Sequence, residues 1–256
     1  MRIHVVVHLL TAAHVVAALH TKPAMVRLGW SPSFSSSGEA AKVAWAEAHG
    51  AAFQALDMLG YPPDGRWNVM QFTRELSRER STALVARAGD ELVAFASTDR
   101  VLDETSLLSI VVHPEWRGGG LARTLLLTLL CEARTAGQHT LTLEVRAGNT
   151  AAIGLYSQCG MEMVGRRPKY YKHPPPTEDA ILFTAHLDDA ALAADLEALV
   201  EAQPADIGHA IRRVAAAREA VAGIDQDGST AFGFAGSATG TEVGADRVTG
   251  AEGEMK

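Results

Sequence analysis

Residues 109–156 read SIVVHPEWRGGGLARTLLLTLLCEARTAGQHTLTLEVRAGNTAAIGLY, and the remainder of the chain is organised around them. The stretch sits in an apolar run, Leu107, Leu108, Ile110, Val111 and Val112, whose β-branched residues suit a buried strand. Pro114 has no N–H to give to a ladder and ends that strand. Arg117, Gly118, Gly119 and Gly120 follow, and a helical pattern starts near Leu121. A glycine turn that opens a helix leaves backbone N–H groups pointing outward, with the positive end of the helix dipole behind them. Three successive glycines also let the backbone approach a pyrophosphate where a Cβ would intrude. The turn therefore predicts a phosphate cradle.

Working outward, leucines at 121, 125, 126, 129 and 130 make one broad apolar helical face, and Gly137 supplies its C-terminal stop. Residues 140–145 read as a second buried strand, so strand, crossover helix and strand form a βαβ unit with a parallel pair. The glycine turn carries neither of the two common nucleotide signatures. No Lys-Ser/Thr follows it, and the G-x-G-x-x-G spacing is absent.

What the turn does match is R-x-x-G-x-A, from Arg117 through Gly120 to Ala122, directly after the V-x-P of Val112, His113 and Pro114. In these residues the chain resembles the GNAT-family N-acetyltransferases, whose motif for the acetyl-CoA pyrophosphate is Q/R-x-x-G-x-G/A. The continuation is Leu143-Glu144-Val145-Arg146, Asn149, Ala151-Ala152-Ile153, Leu155-Tyr156 and Gly160, then Gly165-Arg166-Arg167 and Tyr170-Tyr171. It is similar to the RimI-type branch, which acetylates the N-terminal α-amino group of a ribosomal protein. The resemblance covers residues 40–187 and is densest over 107–171. It implies an α/β (α+β) GNAT fold: a central mixed, twisted sheet with splayed parallel strands and flanking helices, here with a C-terminal helical extension. Between the splayed strands the pantetheine arm would insert. One departure is Gly160-Met161, where the family usually has Gly-Phe.

The whole chain narrows the function further. A formal net charge of −7 leaves no basic stripe for nucleic acid. Two cysteines, Cys131 and Cys159, supply neither a disulfide framework nor a metal-ligand set. His4 and His8 stand one helical turn apart, but with no HExxH and no third ligand nearby the metal reading falls. No apolar run is long enough to span a bilayer. The apolar start of the chain has some look of a leader, but histidines interrupt it, and acetyl-CoA is not found outside the cell. A cytoplasmic enzyme is expected.

Taken in order, residues 1–38 read as an N-terminal extension with a possible first strand over 24–30 and a serine-rich loop over 31–38. The GNAT domain spans 39–187. A helix is predicted over 39–59 from the Trp45, Ala52, Leu56, Leu59 spacing, and a second over 68–80. Trp67, Phe72, Glu75 and Leu76 are similar to the W-x4-F-x2-E-L pattern of RimI-type enzymes, where the acceptor binds; the alternative is that Trp67 and Phe72 pack this helix on the sheet. Residues 82–88 and 91–98 form a hairpin around Gly89-Asp90, and 99–104 a polar turn. Residues 163–167 and 180–187 close the domain, joined by a basic, proline-rich loop that includes Lys169, Tyr170 and Tyr171. Residues 188–222 read as a helical hairpin and 223–256 as a disordered tail.

Acetyl transfer from a thioester to an amine needs the cofactor held, the amine neutral, donors for the oxyanion, and a proton for the leaving thiolate. The resemblance places acetyl-CoA on Ile110, Val111, Val112, Arg117, Gly118, Gly119, Gly120, Leu121, Ala122 and Arg123, with Asn149 at its pantetheine or adenosine end. Asn149 also stands where a helix N-cap is expected, and both roles are compatible. Glu144 is the family-matched base, acting through a water, against the alternative of an ordinary strand-end acid. Tyr156 is the family-matched acid, against the alternative of a core tyrosine. Backbone N–H groups around Val111 and Val112 would polarise the thioester carbonyl if their strand is bulged. No metal and no acyl-enzyme are implied; attack is direct, in a ternary complex.

The reading is acetyl transfer to a protein N-terminal α-amine, with a small-subunit ribosomal protein as acceptor, no nucleic acid or membrane partner, and an oligomeric state the sequence does not specify. Two rivals remain open. One is a GNAT enzyme for a small-molecule amine; the other is a non-catalytic CoA-binding module that regulates a partner.

Overall fold

The computed structural model describes residues 15–17, 26–31, 38–61, 65–172, 175–203 and 211–212. The chain divides into two compact units, residues 1–226 and 227–256, and all of the second lies outside the described residues. So do His4, His8, the 32–37 loop, most of the predicted second C-terminal helix and the 223–256 tail.

Eight strands form one sheet: β1 (Val15–Ala17), β2 (Val26–Trp30), β3 (Ser81–Ala88), β4 (Glu91–Val101), β5 (Glu104–Val112), β6 (Thr140–Arg146), β7 (Glu162–Tyr171) and β8 (Glu178–His186). Their spatial order is β1-β2-β3-β4-β5-β6-β8-β7. Every neighbouring pair is antiparallel except β5–β6, which is parallel. The helices are α1 (Glu39–Gly60), α2 (Val69–Leu76), α3 (Leu121–Thr135), α4 (Thr150–Gln158) and α5 (Ala190–Glu201).

Strand alternation sends side chains to two separate cores. Leu84 and Ala86 of β3 join α3, α5 and Tyr156 of α4 in the larger core, with Leu125, Leu126, Leu129 and Leu130 buried against the sheet. Ala83 and Val85 face the other way, toward α1 and α2, where Phe53, Phe72 and Phe95 meet with ring centroids 4.5–5.8 Å apart. Trp67 packs on Phe72 at 5.3 Å and donates its backbone N–H to Asp57, the packing named as the alternative in the sequence reading. Glu75 accepts from Ser81 and Arg78, which ties the end of α2 to the start of β3.

Several boundaries differ from the sequence reading. The helix expected over 68–80 stops at Leu76, because Arg78 to Ser81 close a turn into β3. Its start is as read: Asn68 and Gln71 make a reciprocal capping box. The buried face of α1 runs through Lys42, Ala46, Gly50, Phe53, Leu56 and Asp57, and Leu59 is exposed. The Lys42 ammonium lies on the carbonyls of Ser81 (2.6 Å) and Glu79 (3.1 Å), which makes burial of a cation tolerable. The turn expected over 99–104 shrinks to Leu102-Asp103, since β4 and β5 continue pairing to Val101 and Glu104. Lys169, Tyr170 and Tyr171 belong to β7 rather than to a loop. The first strand of the reading is β2, and β1 pairs outside it. Helix α5 packs into the larger core through Leu192, Leu196 and Val200.

Helix α3 is fastened to the sheet by Arg100 of β4. Its Nη2 donates to both oxygens of Glu132, at 3.0 and 2.8 Å, and Glu132 is 2% exposed. Removing one partner of such a buried pair costs about 3–5 kcal/mol. Arg100→Met is therefore expected to lose stability on that scale in urea denaturation, and Arg100→Met/Glu132→Leu to recover most of the loss.

Candidate active site

The parallel pair is short. β5 and β6 are in register from Glu104↔Thr140 to Leu107↔Leu143 and no further, so Leu108–Val112 and Glu144–Arg146 diverge. A bulge sets the divergence. Ser97 and Thr98 of β4 face Ser109 and Leu107, which leaves Leu108 as the extra residue on β5. Beyond the bulge the His113 N–H donates to the Val93 carbonyl (2.9 Å). Hydrogen-bonded pairs alternate in an antiparallel ladder, so the Val111 N–H points at Phe95 of β4, and those of Ile110 and Val112 point into the opening. This corrects the expectation for Val111, whose N–H is held in the ladder and whose side chain packs against Gly60. The Ile110 N–H is taken by the phenol oxygen of Tyr61, which also accepts from Ser109 Oγ at 3.4 Å.

At the mouth of this opening, Gly118 and Gly120 have φ of +76° and +83°, a region that L side chains occupy at a cost. The turn delivers the chain into α3, whose first internal bond is Thr124 N–H to the Gly120 carbonyl. The N–H groups of Leu121, Ala122 and Arg123 thus face outward. Helices α2, α4 and α5 are capped by Asn68, Asn149 and Asp189, whereas α1 and α3, each preceded by a glycine, have no side-chain cap. An uncapped helix start behind a glycine turn fits a phosphate, and Arg123 stands beside it, reaching Gln158 of α4 at 3.4 Å. Arg117 is differently used. Its Nε donates to the Val112 carbonyl (3.0 Å) and its Nη2 to that of Leu59 (3.2 Å), so the guanidinium braces β5 against the end of α1.

Glu144 is the first residue of β6 past the last parallel rung. Leu143 and Val145 point into the larger core, so Glu144 points to the opposite face. Its Oε1 takes Arg167 Nη1 of β7 at 2.8 Å, and its carboxylate also accepts from the Tyr170 hydroxyl. Tyr156 comes from α4 on the larger-core side, 5% exposed, with its ring 5.7 Å from Phe183. Burial, then the neighbouring phenols of Tyr61 and Tyr171, hold its pKa well above the ordinary tyrosine value. Tyr171 is pushed up to about 12, chiefly by burial and then by Glu144. All four tyrosines of the chain, Tyr61, Tyr156, Tyr170 and Tyr171, thus gather around one opening. Tyr61 was invisible in the sequence, where it sits in a Gly-Tyr-Pro turn; only the contact with Ser109 and Ile110 brings it here.

Asn149 caps α4 by accepting from the Ala152 N–H at 3.2 Å. Cys159 is fully buried, and burial pushes its thiol up to about 11, which leaves it a poor nucleophile. Met161 is buried in the larger core, filling the place of the family's phenylalanine. Among the described residues no cluster of three His, Cys, Asp or Glu is arranged to hold a metal, and no helix is long and apolar enough to cross a membrane.

An opened parallel pair, an uncapped helix start behind a glycine turn at its mouth, and a carboxylate and a phenol on opposite faces fit one class: an acyltransferase that takes its acyl group from a CoA thioester. Comparison with known proteins agrees. The model of the acetyltransferase (GNAT) family matches residues 44–161. The chain is 45% identical over 104 residues to a [ribosomal protein bS18]-alanine N-acetyltransferase of Salmonella typhimurium, covering 41% of this chain and 70% of that one. It is 45% identical over 92 residues to the enzyme of the same name from Escherichia coli strain K12, spanning 36% of this chain but only 62% of the relative. The crystal structure of the ribosomal-protein-S18-alanine N-acetyltransferase from Escherichia coli superposes with a TM-score of 0.53 at 29% identity, over 64% of this chain and 96% of that one. The chain belongs to the GNAT acetyltransferase family, in its RimI-type branch, and is an acetyl-CoA-dependent N-acetyltransferase.

The left-handed turn gives a direct check. Gly120→Ala is expected to cost about 1–2 kcal/mol of stability, because its φ is positive. Gly119→Ala, outside that region and with only the Trp116 carbonyl near its new Cβ at 3.8 Å, should stay within about 0.5 kcal/mol in the same urea titration.

Proposed function

We propose that the chain transfers the acetyl group of acetyl-CoA to the N-terminal α-amine of a protein, and that the acceptor is a small-subunit ribosomal protein. The observation that carries this is the place of Glu144, one residue past the last parallel rung, with Tyr156 entering the same opening from the other face. The names carried by the Salmonella and Escherichia coli relatives support the choice of acceptor.

In this reading acetyl-CoA brings the acyl group as a reactive thioester. The outward N–H groups of Leu121, Ala122 and Arg123, with Gly118, Gly119 and Gly120, hold its pyrophosphate, and the Arg123 guanidinium adds a charge-assisted donor. Asn149 lies toward the same end. The Ile110 and Val112 N–H groups are the donors for the carbonyl oxygen, Ile110 once Tyr61 yields its place. Val111 contributes its backbone to the wall, and Arg117 keeps that wall fixed to α1. Glu144 takes the proton that the amine loses as the N–C bond forms, through a water. Tyr156 gives its proton to the departing sulfur. Burial keeps the Tyr156 phenol in its acid form, so the proton is in place when the sulfur departs. Attack is direct; neither cysteine is placed to carry an acyl group.

The test is CoA release across peptides beginning with free Ala, Ser, Thr and Met, one N-terminally blocked lysine peptide, and several small amines. Turnover restricted to free N-termini is expected, and turnover on small amines alone would overturn the reading. Glu144→Gln should lower kcat by about 10²–10⁴-fold, the usual range for a lost acid–base group. Tyr156→Phe should also lower kcat, with acetyl-CoA affinity kept. Because the Tyr156 phenol is raised, the acid form persists through the pH range where an ordinary tyrosine ionises. The rate should therefore show no falling limb up to about pH 10.

A further inference from the structure

Glu144 does not stand alone in the opening, and what surrounds it bears on which amines react. The Arg167 guanidinium is 2.8 Å from Glu144 Oε1, the Tyr170 hydroxyl donates to the same carboxylate, and the guanidinium lies 5.5 Å from the Tyr170 ring centroid. This clamp is built by an irregularity in β7. The β7–β8 register passes from Arg167↔Ala180 to Tyr171↔Glu178, so residues 168–170 bulge opposite Asp179. Within the bulge Lys169 has φ of +54°, uncommon for a residue with a Cβ, and is held there by its N–H on Asp179 Oδ1 at 2.7 Å. Arg166 fixes the other oxygen of Asp179 at 2.5 Å. Strain of this kind persists only where surrounding bonds over-determine it.

The consequence is electrostatic. Around Glu144 stand Arg167, Tyr170 and Tyr171 from β7, Arg146 on β6 itself, Glu178 from β8, and Tyr61 from the end of α1 with Asp57 and Arg66 behind it. Arg146 lies 4.2 Å from the Tyr171 ring centroid and 3.3 Å from Glu178, so it is balanced, as Arg167 balances Glu144. The phenols are uncharged. An arriving ammonium therefore finds no net negative charge, and a guanidinium already beside the Glu144 carboxylate.

The geometry points to Arg167 as the residue that makes this enzyme select amines by their basicity: the site accepts an amine that is already neutral. This deepens the acetyl-transfer reading above and rests on it. Near pH 7.5 about a third of an α-amine of pKa 7.7–8.0 is neutral, against about one molecule in a thousand of a lysine side chain. The preference for an α-amine over a lysine side chain then follows from the amine's own pKa. Glu144 keeps its role, receiving the proton released once the N–C bond has formed.

The experiment measures kcat/KM from pH 6 to 10 on a free-N-terminal peptide and on its N-blocked, single-lysine counterpart, with acetyl-CoA saturating. For the parent enzyme the rising limb should follow the amine's own pKa, and the lysine peptide should trail by about 100-fold or more near pH 7.5. In Arg167→Gln the limb should move at least one unit toward acid and the α-to-ε ratio narrow at least tenfold. Arg167→Lys keeps the charge and should keep the parent profile. Acetyl-CoA affinity by calorimetry verifies that each variant is folded. A second measurement needs no variant: peptides with α-amines of different pKa should shift the parent's limb one for one. A limb indifferent to the amine's pKa, or a folded Arg167→Gln with unchanged ratio and limb, overturns the role of Arg167 while the acetyl-transfer reading stands. Absence of turnover on every free-N-terminal peptide overturns both.

Discussion

One short parallel ladder governs this molecule. β5 and β6 share register from Glu104↔Thr140 to Leu107↔Leu143, and the Leu108 bulge turns the remainder of β5 away. Backbone N–H groups inside a protein require partners, and strands that part company within a sheet ordinarily leave them without any. Here the parting is supported on both sides. β5 stays locked to β4 as far as Val112, and β6 stays locked to β8 as far as Arg146. The sheet can thus open at its middle without coming apart, with the Ile110 N–H held by Tyr61 and that of Val112 directed into the opening.

The two cores serve that opening differently. The larger one, under α3 and α5, anchors the glycine turn, since Leu121 is buried immediately after Gly120. The smaller one, under α1 and α2, is an aromatic cluster around Phe53, Phe72 and Phe95 that fixes where α1 ends. Arg117 joins them by holding the Leu59 and Val112 carbonyls together. The motif arginine therefore acts as a brace between β5 and the end of α1.

Much of this was readable from residue order because the signals were local and periodic. The β-branched run before Pro114, the leucine face of α3, the Gly89-Asp90 hairpin and the Asn149 cap each declare themselves within a few residues. Other features depend on partners far away in the chain and left no such trace. The inward face of α1 includes Lys42 and Asp57, which a search for apolar spacing passes over, and that is why Leu59 was read as buried. Lys169 to Tyr171 read as a loop because lysine and proline surround them, yet Asp179 holds them as a bulged strand. Tyr61 reached the site only through residues about fifty positions away.

The gathering of every tyrosine at one place makes the chain its own optical probe. Three of the four phenols have pKa values raised chiefly by burial, and the fourth is raised by its bond to Glu144, so their ionisation reports on that burial and on that carboxylate. The ultraviolet difference spectrum of tyrosinate, which in most proteins averages over scattered surface groups, would here be a titration of the catalytic opening alone. A molecule that enters between β5 and β6 and changes the burial of these phenols would shift it without a label.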